Sequence, residues 1–230
     1  MKWQHVALAL VGLALVVANA PRLRLLGWNE LTDVASTGGD GRVGAVFLSG
    51  DMGMDLGISG DTARGLAANG YAVTGVSSPV AFAHHLTRTE ADAVVVKAID
   101  TALAKGARKV VLVGQSFGSD IIAATLPDLP RRLHDRIASV VIVVPSRDVY
   151  FRADPSGIAY LGTPDALPAA ALRKVDWVPL TCVQGAAESA SLCPLLGGSP
   201  ARRVMLPGNH YLQHDVPRMM AAILDALKPR

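Results

Sequence analysis

Six short runs of apolar and β-branched residues alternate along the chain with stretches of helical spacing. Strands that are apolar at every position are typical of parallel sheets buried on both faces. The alternation therefore predicts an α/β protein with a mostly parallel sheet and helices on both faces. The predicted strands are 43–50, 71–78, 109–114, 137–145, 177–185 and 202–208, and the predicted helices are 59–69, 87–106, 116–126 and 216–228.

The composition is that of one well-filled domain. The chain has 230 residues, of which 50% are hydrophobic and 18% charged, so disorder is excluded. The net charge of +3 is modest and no Lys/Arg run exceeds two residues, so nucleic acid is not an expected partner. We expect the domain to span residues 43–230 with a minimal cap, because residues 147–176 fit no simple element and are predicted to cross the carboxyl end of the sheet.

The first 20 residues have the features of a secretory leader. Met1-Lys2 precedes the apolar stretch VALALVGLALVVANA, which ends in Ala18-Asn19-Ala20. If the leader were cleaved after Ala20, Pro21 would be the first residue of the mature chain, which argues against efficient cleavage. The apolar stretch is also shorter than the roughly 20 residues of a membrane span, which argues against an anchor. The sequence therefore predicts export to the periplasm with a signal peptide that is either removed or kept as an anchor, followed by a linker over residues 21–42.

The stretch GQSFG, residues 114–118, follows a predicted strand and opens a predicted helix. A sharp strand-to-helix turn needs small residues on both sides of its apex, and Gly114 and Gly118 meet this need. Ser116 would project from the apex as a nucleophile. The backbone N–H of Phe117 would point at the oxyanion that forms on attack.

A serine hydroxyl needs a base and an orienting carboxylate, which in this kind of fold follow in the order Ser, Asp or Glu, His. His210 lies between the last strand and the last helix and is the predicted base, with His214 as the alternative. Glu188 follows the penultimate strand and is the predicted acid, with Asp148 as its rival. No metal or organic cofactor is expected.

The second oxyanion donor is expected in the loop after the first predicted strand, LSGDMGMDLG. Asp51 and Met52 are the candidate donors through their backbone N–H groups, as is Gly50. The carboxylate of Asp51 is either a turn former or a receptor for a cationic group of the substrate.

The two cysteines, Cys182 and Cys193, are close in sequence. In an exported chain such a pair is typical of a disulfide, and in a reduced protein the two would be buried thiols. A disulfide would hold the loop that carries Glu188. Their spacing is not that of a metal site.

Several segments together resemble the bacterial virulence protein family of VirJ and AcvB, over roughly residues 43–227. The resemblance implies an α/β-hydrolase fold, a periplasmic location, and Ser116, Glu188 and His210 as nucleophile, acid and base. This chain departs from the family pattern at two positions. It has Met52 where the family usually has a glycine, and it lacks the proline that the family commonly has directly before the glutamate corresponding to Glu90. The segments are FLSGDMG, RTEAD, GQSFGSD, the GAAES stretch between the cysteines, and LPGNHY.

The resemblance also implies a substrate. The AcvB branch is associated with hydrolysis of lysyl-phosphatidylglycerol, so the expected substrate is an aminoacyl phospholipid at the membrane surface, cleaved at its aminoacyl ester. One alternative is a non-catalytic periplasmic adaptor that binds secretion-system proteins. Another is a general esterase or lipase with the same triad.

Overall fold

A seven-stranded sheet forms the centre of the structure, a computed structural model that describes residues 2–228. Its strands are β1 (Leu31–Val34), β2 (Val43–Leu48), β3 (Val73–Val76), β4 (Lys109–Gln115), β5 (Ile137–Val143), β6 (Leu180–Gly185) and β7 (Arg202–Leu206). In space they lie in the order β1-β3-β2-β4-β5-β6-β7. Among the strands of the described residues, only β1 runs antiparallel to its neighbour, so the mostly parallel sheet predicted from the apolar runs is confirmed.

Helices cover both faces of the sheet, as predicted. The helices are α1 (Lys2–Ala18), α2 (Ser59–Ala68), α3 (Ser78–Ala81), α4 (Arg88–Ala104), α5 (Phe117–Thr125), α6 (Ala169–Leu172) and α7 (Val216–Leu227). Along β2, Val46 and Leu48 pack on the side of α4 and α5, whereas Ala45 and Phe47 pack on the side of α2 and α7. Successive side chains of a strand point to opposite faces, and here each face meets a layer of helices.

Helix α4 begins where its sequence predicts. The Thr87 hydroxyl accepts a hydrogen bond from the N–H of Glu90, and the Glu90 carboxylate accepts one from the N–H of Thr87 at 2.7 Å. This reciprocal capping box satisfies two backbone donors that a helix start otherwise leaves free.

Strand β1 falls within residues 21–42, which the sequence predicts to be a linker. Its four residues, LTDV, are half-buried or exposed and include two polar side chains. Pairing with β3 at the edge of the sheet makes this segment a strand. Since edge pairing depends on a partner distant in sequence, local apolarity does not reveal it.

Residues 147–176 leave β5 at the carboxyl end of the sheet and contain only a 3₁₀ turn, Ile158–Leu161, and the short helix α6. The turn brings the hydroxyl of Tyr160 to 3.4 Å from Asp51 Oδ2, in the loop that follows β2. The segment therefore crosses over the carboxyl ends of the strands, as expected.

Helix α1 contains the apolar part of the predicted leader. Its side chains from Val6 to Val17 are exposed at nearly every position. Among residues 2–228, none of the helices combines the length and apolarity needed to cross a membrane. Export and the fate of the leader stay predictions.

Candidate active site

Ser116 occupies the turn between β4 and α5 in an unusual backbone conformation. Its φ of 50° and ψ of −122° lie in a region that residues with a side chain rarely adopt. A Cβ atom at Gly114 would lie 2.7 Å from the carbonyl oxygen of Gly118, and one at Gly118 would collide with the carbonyl of Leu48. Both glycines are therefore required for the turn to form.

The structure brings Ser116, His210 and Glu188 together in one hydrogen-bonded chain. Ser116 Oγ lies 2.8 Å from His210 Nε2, and His210 Nδ1 lies 2.7 Å from Glu188 Oε1. When Nδ1 carries the proton it donates to the carboxylate, which leaves the lone pair of Nε2 to accept the hydroxyl proton. The Glu188 side chain is only 5% exposed, whereas that of His210 is 40% exposed.

Parallel strands place these residues together although they are far apart in sequence. Glu188 follows β6 and His210 follows β7, and the carboxyl ends of both strands open on the same edge of the sheet. The two loops are in close contact, since the N–H of Ala187 donates to the carbonyl of Gly208 at 2.8 Å. A Cβ atom at Gly185 would lie 2.6 Å from that same carbonyl oxygen.

The rival residues lie outside this chain of hydrogen bonds. Asp148 contacts Arg147 at 3.6 Å and makes no hydrogen bond to His210 within the described part of the chain. His214 is exposed, and its ring stacks on Tyr211 with 5.6 Å between centroids. The geometry therefore favours Glu188 and His210 over both rivals.

A disulfide joins Cys182 and Cys193, as the sequence favoured. Cys182 lies within β6, and the bridge closes the loop that carries Glu188. Both cysteines are fully buried. The loop is thus held covalently to the strand from which it emerges.

The candidate oxyanion donors lie around Ser116, and their roles stay predictions. The N–H of Phe117 begins α5 and has no hydrogen-bond partner within residues 2–228. Asp51 and Met52 line a cavity together with Ser116. Gly50 is less available, because its N–H donates to Ser59 Oγ at 3.2 Å.

Two cavities meet at Asp51, Ser116 and His210, which line both. The first, the apolar cavity, has a volume of about 180 Å³, and its walls include exposed apolar side chains, Met52 and Leu56, together with Tyr211. The second, the acidic cavity, has a volume of about 220 Å³ and is lined by the carboxylates of Asp51, Asp120 and Glu188 and by Tyr160. Ser116 therefore lies between a mainly apolar and an acidic compartment.

Two carboxyl groups of the acidic cavity, those of Asp51 and Asp120, lie in an environment that raises their pKa. Burial raises the pKa of Asp51, and the hydroxyl of Tyr160 opposes that rise. Burial also raises the pKa of Asp120 well above its usual range, and the charges of Asp51 and Glu188 raise it further. The N–H of Ser146, which donates to Asp120 Oδ1 at 2.6 Å, opposes this. A cationic group in the cavity would stabilise the ionised carboxylates.

Asp120 and Tyr160 were missed by the sequence analysis. Asp120 lies four residues after Ser116 on the first turn of α5, a spacing that places it on the side of the helix facing the site. That spacing could have indicated from the sequence that Asp120 lies at the site. Tyr160 belongs to the segment without recognisable pattern, so nothing in the sequence indicated its position.

No cluster of three or more His, Cys, Asp or Glu side chains suited to a metal ion occurs in the described residues. The side chains at the site offer a serine hydroxyl, an imidazole, carboxylates and the hydroxyl of Tyr160.

A parallel sheet with a strained serine between strand and helix, and with a histidine after the last strand, is the architecture of the α/β-hydrolase fold. Within this fold, the model of one particular family matches the chain. The chain belongs to the bacterial virulence protein family VirJ, whose model matches residues 42–230. A search of curated proteins gave no match.

Solved structures share the fold at low sequence identity. Est1E from Butyrivibrio proteoclasticus is 11% identical over 86% of this chain and 93% of its own, with a TM-score of 0.58. The thioesterase domain from the curacin biosynthetic pathway is 15% identical over 84% and 94%, with a TM-score of 0.60. Naproxen esterase from Bacillus subtilis is 12% identical over 86% and 87%, with a TM-score of 0.57.

Proposed function

We propose that this protein is a periplasmic serine hydrolase that cleaves the aminoacyl ester of lysyl-phosphatidylglycerol or of a related aminoacyl lipid. The hydrogen-bonded chain from Ser116 through His210 to Glu188 carries the hydrolase part of the proposal. The acidic cavity beside Ser116 supports an acyl group that bears an ammonium ion. The predicted leader and the disulfide are both compatible with export.

In the first half of the reaction, Ser116 Oγ attacks the ester carbonyl carbon while His210 Nε2 takes the hydroxyl proton. The negative charge that develops on the carbonyl oxygen is stabilised by backbone N–H groups, for which Phe117, Asp51 and Met52 are the candidates. Glu188 stabilises the imidazolium through Nδ1. The carbon–oxygen bond to the glycerol then breaks, His210 protonates the leaving oxygen, and the acyl group stays on Ser116.

In the second half, water attacks the acyl-serine ester. His210 takes a proton from the water, and a second tetrahedral intermediate forms at the same position. Its collapse returns the proton to Ser116 Oγ and releases the amino acid. Atoms balance without a cofactor, since water supplies the hydroxyl of the product.

The two cavities divide the substrate at the scissile bond. An aminoacyl group carries a positive charge close to the ester carbonyl, so its acyl side fits the cavity lined by Asp51 and Asp120. The leaving group, a glycerol on a phospholipid, fits the cavity with Met52, Leu56 and Tyr211 in its wall. A neutral fatty acyl group would instead leave the acidic carboxylates without a partner.

The experiment is hydrolysis by the purified full chain of lysyl-phosphatidylglycerol, alanyl-phosphatidylglycerol and a neutral p-nitrophenyl ester, with product analysis. Release of free amino acid by the wild type and none by Ser116→Ala supports the proposal. Hydrolysis of the neutral ester alone would make the protein a general esterase. No hydrolysis of any ester, together with a folded chain, would favour the adaptor function.

The cavity assignment is tested separately with Asp51→Asn and Asp120→Asn. Each should raise KM for the lysyl lipid at least about tenfold while changing KM for the neutral ester less than about threefold, because only the ammonium loses a partner. Asp55→Asn is the matched control, since Asp55 is an exposed acid in the same loop as Asp51. An equal loss on both esters would contradict the assignment.

A further inference from the structure

Helix α1 exposes apolar side chains in every direction. At 100° per residue, the exposed positions of the helix are distributed around its whole circumference. A helix that is apolar all round belongs in a hydrophobic core or in lipid, whereas a groove on a protein needs only one apolar face. These side chains are Val6, Leu8, Leu10, Val11, Leu13, Leu15, Val16 and Val17, with exposures between 38% and 70%.

The end of α1 is part of the folded domain. Ala18, Ala20 and Pro21 are buried, and Nη2 of Arg152 donates to the carbonyl oxygen of Ala18 at 3.1 Å. Further along, the carbonyl of Glu30 accepts a hydrogen bond from the N–H of Ser77 at 2.9 Å, just before β1 joins the sheet. The segment from α1 to β1 is therefore attached to the domain at both ends.

Between these attachments the chain is exposed and has the composition of a membrane interface. Leu23, Leu25 and Trp28 are 56%, 59% and 73% exposed, and the guanidinium of Arg24 lies 5.6 Å from the ring centre of Trp28. Arg22 is exposed as well. Arginine beside tryptophan and leucine is the combination expected where a protein meets anionic lipid headgroups. Residues 22–28 are called the collar.

The collar lies beside the loop that forms the mouth of the apolar cavity. A Cβ atom at Gly53 would be 3.1 Å from the carbonyl oxygen of Leu26, so the two backbones are in close contact. The same loop carries Met52 and Leu56, which are 41% and 46% exposed and line the cavity of Ser116. Tyr211, which lines the same cavity, is 62% exposed.

We propose that α1 and the collar hold this protein on an anionic phospholipid bilayer, with the mouth of the apolar cavity at the headgroups. The leader is then kept in the mature protein as an element that positions the site. A lipid ester would reach Ser116 without leaving the membrane. This docking is independent of hydrolysis and can be measured without it.

The test uses fluorescence of the full chain with vesicles of phosphatidylglycerol whose acyl chains carry bromine, a quencher of tryptophan. The chain has three tryptophans. In Trp3→Phe/Trp177→Phe, Trp28 is the reporter, and vesicles should quench its emission at least about twofold. Trp28 remaining unquenched would overturn the proposal.

Trp3→Phe/Trp28→Phe is the matched control. Its reporter, Trp177, stacks on His134 and precedes β6, so it lies at the end of the sheet opposite Ser116. Its emission should be unchanged. Equal quenching of Trp177 would indicate unspecific adsorption and would also overturn the proposal.

Charge and processing give two further checks. Arg22→Gln/Arg24→Gln should weaken binding to phosphatidylglycerol vesicles about tenfold and leave the weaker binding to phosphatidylcholine unchanged.

The mass of the exported protein should include residues before Ala18. A mature chain that starts at Pro21 would contradict the retained leader, even where the hydrolase assay is positive.

Discussion

Glu188 Oε1 and His210 Nδ1 lie 2.7 Å apart although the two residues follow different strands. Their loops are joined by backbone hydrogen bonds, and the disulfide ties the Glu188 loop back to β6. A buried carboxylate at this distance determines which nitrogen of the imidazole carries the proton. The orientation of the His210 imidazole thus depends on how rigidly a short loop is held.

Ser116→Ala should abolish hydrolysis while the protein stays folded, because only the nucleophilic oxygen is removed. A fluorophosphonate probe should label the wild type at Ser116 and leave the variant unlabelled, as read by peptide mass spectrometry. Labelling at another serine would contradict the assignment.

Ser116→Gly should be more stable than Ser116→Ala, since glycine adopts the conformation at φ 50° without strain. Relief of such strain contributes about 1–3 kcal/mol. Glycine also loses more entropy on folding, so we expect a net gain of about 1 kcal/mol. Urea unfolding of the two inactive variants measures the difference, and a less stable glycine variant would argue against a strained turn.

Glu188→Gln should lower turnover by roughly 10⁴, as loss of the orienting carboxylate does in serine triads. Asp148→Asn should change it less than about threefold, because within residues 2–228 the half-buried Asp148 makes no hydrogen bond or ion pair to His210. Steady-state kinetics on one ester compares the two. The reverse ranking would transfer the role of the acid to Asp148.

Removal of the disulfide should affect catalysis more than folding. Loss of the bridge in Cys182→Ala/Cys193→Ala costs roughly 3 kcal/mol by chain entropy. That lowers Tm by about 6–12 °C in a chain of this size and leaves the protein folded at 25 °C. Turnover should fall about 100-fold, since a loosened loop carries Glu188 away from His210.

Thiol titration of the denatured, exported protein should find no free thiol, and two free thiols in an active sample would refute the bridge.

Asp120→Asn should stabilise the protein at neutral pH. Burial raises the pKa of Asp120, so the folded state keeps the proton to a higher pH than the unfolded state, where the pKa is about 3.9. The cost of ionising this carboxyl is absent below the unfolded pKa and grows as pH rises toward the folded pKa. The variant keeps an oxygen that can accept from the N–H of Ser146.

The corresponding measurement is Tm of wild type and Asp120→Asn between pH 4 and pH 8. The gain in Tm should be small at pH 4 and increase toward pH 8. Each kcal/mol gained in the free energy of unfolding raises Tm by about 2–4 °C in a chain of this size. Asp55→Asn, at an exposed acid, should follow the wild type throughout. A gain that is largest at pH 4 would contradict the argument from burial.

The predictions that hold depend on local patterns. Apolar runs predicted six of the seven strands, to within a few residues at their ends. Five of these strands, β2 to β6, are buried at nearly every position and therefore need apolar residues throughout, whereas β7 lies at the edge and alternates half-buried with exposed residues. The predicted start of α4 at residue 87 holds because the cap formed by Thr87 and Glu90 is a contact between neighbours in sequence. The glycines around Ser116 indicated the turn, since only they fit its backbone.

The predictions that failed, and the residues that were missed, depend on partners distant in sequence. Strand β1 exists because β3 offers it an edge, and its own four residues carry little strand signal. For Asp51 the sequence left two roles open, a turn former or a receptor for a cationic group of the substrate. Its role in the acidic cavity needs Asp120 from α5 and Tyr160 from the crossing segment.

The sequence alone therefore determined the α/β architecture, the position of Ser116 and the chain order that singled out His210, because each rests on periodicity, turn geometry or order along the chain. Tertiary structure alone decided that Glu188 rather than Asp148 meets His210, and that three carboxylates share one cavity. The physical reason is that burial, and the electrostatics that burial produces, depend on which loops the parallel strands bring to one edge of the sheet.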